Sequence, residues 1–114
     1  METFGDYIKR IRIKRNFSLR ETADKIGISA TFLSRVENNK SVPSERFIRE
    51  MAIVLDTDFD TMMHCAGRIA QDIVEIIKTD VGMPVFLRRV RDQNISSKDL
   101  MKLLSLGDNK KWQE

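Results

Sequence analysis

The sequence is poor in residues that fix a fold covalently or through a metal. Of its 114 residues, one is a cysteine, Cys65, and one a histidine, His64. A single cysteine excludes an intrachain disulfide, and the default compartment for such a chain is a reducing cytoplasm. A protein-only zinc site usually takes three or four Cys, His or carboxylate ligands, which this inventory does not supply. No metal or other cofactor is expected. Prolines number two, Pro43 and Pro84. The longest uninterrupted apolar run, Met51 to Leu55, is far short of the roughly 20 residues that span a membrane, so no membrane partner is expected. The opening Met1-Glu2-Thr3-Phe4-Gly5-Asp6 has no basic head followed by an apolar stretch, so it does not read as a secretory signal. The expected localisation is cytoplasmic.

What is present suits one domain, or a small domain with a tail. Hydrophobic residues make up 41% and charged residues 32%, enough apolar content for a core and too much for a disordered chain. The net charge of +3 is unevenly spread: residues 1–40 carry +4, residues 41–67 carry −3 and residues 68–114 carry +2. Positive charge is densest from Lys9 to Arg15. That distribution suggests an anionic partner at the N-terminal end. A solvated, highly charged helix face is the alternative, and charge alone favours it.

The apolar pattern is helical almost throughout. Phe4, Ile8 and Ile11 share one face of a first helix, which Asn16 closes. Ser18 caps a second helix and pairs with Glu21 as a capping box; that helix stops at Gly27. Ser29 caps a third, running to about Glu37. Residues 38–43 read as a loop. Ser44 caps a fourth helix with a stripe of Phe47, Ile48, Met51, Ala52 and Leu55. Asp58 caps a short fifth helix that ends near Gly67, where a first domain boundary is placed. Three further helices are expected: Ala70 to Lys78, Pro84 to about Asp92, and one capped by Ser96 or Ser97 and ended by Gly107. Residues 108–114 read as a polar tail with Trp112 as its apolar residue.

The informative feature is the pair of short helices from Ser18 to Glu37. Ala23 allows close packing, Gly27 permits the turn, and Ile28, Leu33 and Val36 fill the angle between the helices. That is the physical recipe of a helix-turn-helix. The third helix then presents Ala30, Thr31, Ser34 and Arg35 away from the core. Such small, polar and cationic side chains suit the floor of a DNA major groove.

On these residues the chain resembles the phage Cro/repressor-type, or XRE, helix-turn-helix regulators over residues 4–67. The resemblance implies an all-α fold: a lambda-repressor-like five-helix helix-turn-helix domain over residues 1–67, plus a helical C-terminal extension. It implies that Ser29, Ala30, Thr31, Ser34 and Arg35 face bases and that Asn38 and Lys40 approach phosphates. It also implies a buried ion pair between Arg12 and Glu37, structural rather than a DNA contact. Of Arg10, Lys14 and Arg15, at least one is expected on a phosphate, with Lys14 the choice and ordinary solvated charge the alternative. Three positions depart from the family pattern. Thr22 stands where leucine is usual, so packing there should be weaker or the hydroxyl back-bonded. Leu19 stands where some relatives place a glutamine on the DNA. Asn39 replaces a common glycine but tolerates a positive φ. The stretches Ala66-Gly67-Arg68-Ile69 and Asp72-Ile73-Val74-Glu75-Ile76-Ile77 resemble a helical extension that in such regulators serves self-association or docks a regulatory partner.

Other constellations have simpler readings. His64 and Cys65 are helix neighbours about 100° apart with no third orienting group, which argues against a nucleophile and base. Asp56, Asp58 and Asp60 mimic half a calcium loop, but Thr61 and Gly67 occupy its required glycine and glutamate positions. Met51, Met62, Met63 and Met101 read as core filler. The expected function is therefore not enzymatic. It is a sequence-specific transcriptional regulator, a repressor binding a palindromic operator on double-stranded DNA as a homodimer. Residues 68–107 form the dimerisation or regulatory extension, where a regulatory protein could dock. The alternatives are an antitoxin of a toxin–antitoxin pair, or a protein-interaction module that no longer reads DNA.

Overall fold

The computed structural model describes residues 2–110, with side chains described as far as residue 107. Among the described residues there are eight helices and no strand: α1 Phe4–Lys14, α2 Leu19–Ile26, α3 Ala30–Glu37, α4 Glu45–Val54, α5 Phe59–Cys65, α6 Gln71–Thr79, α7 Gly82–Asp92 and α8 Ser97–Lys110. The chain is all-α, as the resemblance implies. No helix among them is long and apolar enough to cross a membrane.

Local chemistry sets the helix limits. Each of α1 to α5 begins at a side-chain cap, respectively Thr3, Ser18, Ser29, Ser44 and Asp58. Each cap satisfies an otherwise orphaned N–H and is typically worth about 1 kcal/mol. The capping box at α2 is complete: Glu21 N–H donates to Ser18 Oγ, and Ser18 N–H donates to Glu21 Oε1, both at 3.0 Å. Each of the five is followed by a residue of positive φ: Asn16, Gly27, Asn39, Asp56 and Gly67.

The chain divides into two compact units between Gln71 and Asp72. In the first, α1 packs on α3 and α5, α2 on α3 and α4, and α4 on α5. Ile8, Leu33, Val36, Ile48, Met51, Leu55 and Met62 are fully buried at its centre. Thr22 is fully buried too. Its hydroxyl donates to Ser18 O at 3.0 Å, so the position where relatives place leucine keeps its polar atom satisfied. The first unit runs past the expected boundary at Gly67. Ala70 is buried with its core instead of starting the next helix, and Gln71 N–H donates to Glu45 Oε1 at 2.8 Å.

The second unit is built differently. Neither α6 nor α7 buries a residue, and Ile73, Ile76, Phe86, Leu87, Leu103 and Leu104 are exposed. Pro84 sits in the first turn of α7. The Ser96 hydroxyl accepts the N–H of Asp99 at the start of α8. The expected stop at Gly107 does not occur, because α8 continues through it to Lys110. A glycine inside a helix costs about 1 kcal/mol against alanine, which one residue in a longer run tolerates. Residues 111–114, including Trp112, lie outside the described residues.

Candidate nucleic-acid interface

Two long-range ties set the position of α3. The first is Arg12 on α1 with Glu37 at the end of α3. Arg12 Nε and Nη2 donate to the two Glu37 carboxylate oxygens at 2.7 and 3.0 Å, and Nη1 donates to Phe17 O at 2.9 Å. Both side chains are buried, so the guanidinium fork fixes α1, α3 and the turn before α2 in one geometry. The second tie is Asn39. Its Oδ1 accepts Gly5 N–H and its Nδ2 donates to Thr3 Oγ1, both at 2.9 Å. Between them α1 approaches α3 so closely that a Cβ at Gly5 would collide with the backbone carbonyls of Val36 and Glu37.

Held in this way, the outer face of α3 floors an open depression of about 370 Å³, lined by Leu19, Ala30, Thr31, Ser34, Arg35, Asn38 and Lys40. Thr31, Arg35, Asn38 and Lys40 are exposed, while Ala30 and Ser34 are half-buried. Arg35 Nε donates weakly to Ser41 Oγ at 3.3 Å. Asn38 Nδ2 donates to Ser34 O at 2.8 Å, beside the Asn38 backbone N–H at 3.0 Å, so the side chain folds back on the end of α3. Ser29 lies outside the lining; its hydroxyl accepts Phe32 N–H at 3.0 Å as the cap of α3.

The cations of α1 divide by partner. Arg10 donates to both carboxylate oxygens of Glu2 at 2.8 and 3.0 Å and sits 5.4 Å from the Tyr7 ring centroid. Arg15 donates to Leu55 O and Asp56 O at 2.9 and 2.8 Å, closing the C-terminus of α4. Lys14 is exposed, outside the depression, and pairs with no carboxylate among the described residues.

Capping also shifts two acids of the first unit. The backbone N–H of Ser18, with help from its hydroxyl, holds the Glu21 carboxyl below the usual range. The Thr61 hydroxyl, then its N–H, does the same for Asp58. His64 and Cys65 remain neighbours on α5. Among the described residues no group of three His, Cys, Asp or Glu is placed to hold a metal.

Sequence reasoning does not count Leu19 among the DNA contacts, yet it lines the depression. It also missed Gly5, Asn39 as a long-range anchor, and Ser41 beside Arg35. The proximity of Asn39 to the start of α1 has no signal in a single sequence.

Comparison with known proteins agrees with this architecture. A family model described as helix-turn-helix matches residues 8–62. The HTH-type transcriptional repressor RghR of Bacillus subtilis (strain 168) is 30% identical over 114 residues, covering 99% of this chain and 79% of RghR. The chain spans about half the length of the SinR regulators it also matches. Among solved structures, the biofilm master regulator SinR in complex with DNA is 34% identical, with a TM-score of 0.51 over 54% of this chain and 98% of that one. The SinR/SinI protein complex is 26% identical, with a TM-score of 0.52 over 97% of this chain and 100% of that one. The chain belongs to the XRE, or Cro/repressor-type, helix-turn-helix family of transcriptional regulators.

Proposed function

We propose that this chain is a sequence-specific DNA-binding repressor that occupies a palindromic operator as a homodimer. The observation that carries the reading is the depression on α3, where Ala30, Thr31, Ser34, Arg35, Asn38 and Lys40 converge. Ala30, Thr31, Ser34 and Arg35 read base edges, with Ser29 fixing the start of the helix beside them. Asn38, Lys40 and Lys14 meet phosphates. Arg12 and Glu37 act by holding α3 in place. The likeness to RghR, named a repressor, and to SinR solved with DNA supports this assignment.

Residues 68–107 are the dimerisation or regulatory extension in this reading. The exposed apolar side chains of α6, α7 and α8 support it, as does the likeness over nearly the whole chain to a structure of SinR with a protein partner. No step of the function calls for catalysis.

The test is selection of bound duplexes from a random pool with the full chain. The reading calls for a palindromic consensus whose half-site centres lie about 10–10.5 base pairs apart, or a multiple of that. Recovery of no consensus, or of a single asymmetric half-site at full affinity, would overturn it.

A further inference from the structure

Leu19 is the largest apolar side chain in a recess otherwise lined by Ala30 and by hydroxyls, an amide and cations. As the first residue of α2 it packs partly on the core, and its remaining surface lines the depression beside the recognition residues. Ala30 and Thr31, in the first turn of α3, line the same recess and add methyl groups. We propose that Leu19, with the Ala30 and Thr31 methyls, forms an apolar seat for the C5-methyl group of a thymine, making Leu19 a specificity-determining residue.

The chemistry of the major groove selects this occupant. Thymine alone presents a methyl group there; cytosine has only a C5–H at that place, and the purines present donors and acceptors. Leucine has no donor or acceptor to offer. A polar base edge pressed against it loses water without gaining a hydrogen bond, whereas the thymine methyl has no hydrogen bond to lose. Burying the thymine methyl against leucine is favourable, by an amount equivalent to roughly fourfold in affinity for one methyl-sized group. Seat and cation lie apart along α3: Thr31 is in its first turn and Arg35 one turn later, about 6 Å along the axis. The thymine is therefore a different position of the half-site from the base that Arg35 reads.

This inference rests on the base-reading function proposed above, and the experiment separates the two. The full chain is titrated against its selected operator and against duplexes in which each thymine in turn is replaced by deoxyuridine, which removes only the methyl. One thymine per half-site should lose roughly fourfold on replacement. In the Leu19→Ala and Leu19→Gln chains the same replacement should change affinity little, with thermal melting confirming that each variant folds. A selected operator with a flat uracil scan overturns the seat and leaves base reading intact, a result obtained with the unmodified chain alone. A sensitive thymine that is equally sensitive in both folded variants removes Leu19 from the assignment. Failure to select any consensus overturns the base reading and the seat together.

Discussion

Arg12 and Glu37 meet through two parallel hydrogen bonds, at 2.7 and 3.0 Å, across the buried joint between α1 and the end of α3. Removing one partner leaves the other charge buried without a counter-ion, which typically costs about 3–5 kcal/mol. Arg12→Ala and Glu37→Ala should each lower the melting temperature by more than 10 °C, on the scale of roughly 4–8 °C per kcal/mol for a domain of this size. Arg12→Met combined with Glu37→Leu should recover most of the loss, since an apolar pair of similar volume is often neutral or better. Melting curves of the three variants check this; single variants that melt like the parent would contradict it.

Gly5 is constrained by its neighbours. A Cβ there meets the carbonyls of Val36 and Glu37, and backbone cannot swing aside as a side-chain tip can. Gly5→Ala should cost about 1–3 kcal/mol through forced separation of α1 and α3. A urea titration measures it, and an unchanged midpoint would show that the two helices part without penalty.

Acid should loosen the first unit through its caps. Glu21 and Asp58 have carboxyls held below their ordinary values of 4.5 and 3.8. A carboxyl whose folded pKa is depressed binds more protons when unfolded, so its contribution is complete above the ordinary value and fades as pH falls through the folded one. The melting temperature should be insensitive to these groups above about pH 5 and should fall below about pH 4.5. Glu21→Gln should remove part of that fall. An acid limb of the same depth in the variant would assign the loss to other carboxylates.

A chain truncated after Gln71 keeps the whole core of the first unit, including Ala70 and the Glu45–Gln71 hydrogen bond. It should fold, sediment as a monomer, and lose operator affinity far more than nonspecific affinity. A truncated chain that remained a dimer with unchanged operator binding would place self-association within the first unit.

The parts legible in the sequence are local ones. Ser18 with Glu21, and Ser29, Ser44 and Asp58 as caps, depend on residues three apart and need no knowledge of the fold. The back-bonded Thr22 hydroxyl is one of the two outcomes left open by a resemblance that places leucine there. The Arg12–Glu37 pair was reachable only by resemblance, since nothing in a single sequence joins positions 25 apart. Asn39 on Gly5 and Thr3, Arg15 on the carbonyls ending α4, and Leu19 in the recess each depend on how helices cross. The continuation of α8 through Gly107 shows the limit of glycine as a stop signal.

The central claim is that α3 reads bases while Lys14 meets only the backbone. It is tested most directly by titrating the parent, Arg35→Ala and Lys14→Ala chains against the selected operator and a panel of its single-base variants, at several salt concentrations. Arg35→Ala should cost about 1–3 kcal/mol on the operator and flatten preference at one base pair. Lys14→Ala should weaken every duplex alike and reduce the salt slope by about one. If Arg35→Ala instead weakened all variants equally and left every base preference in place, Arg35 would belong to the phosphate contacts and the assignment of α3 as the reading helix would be contradicted.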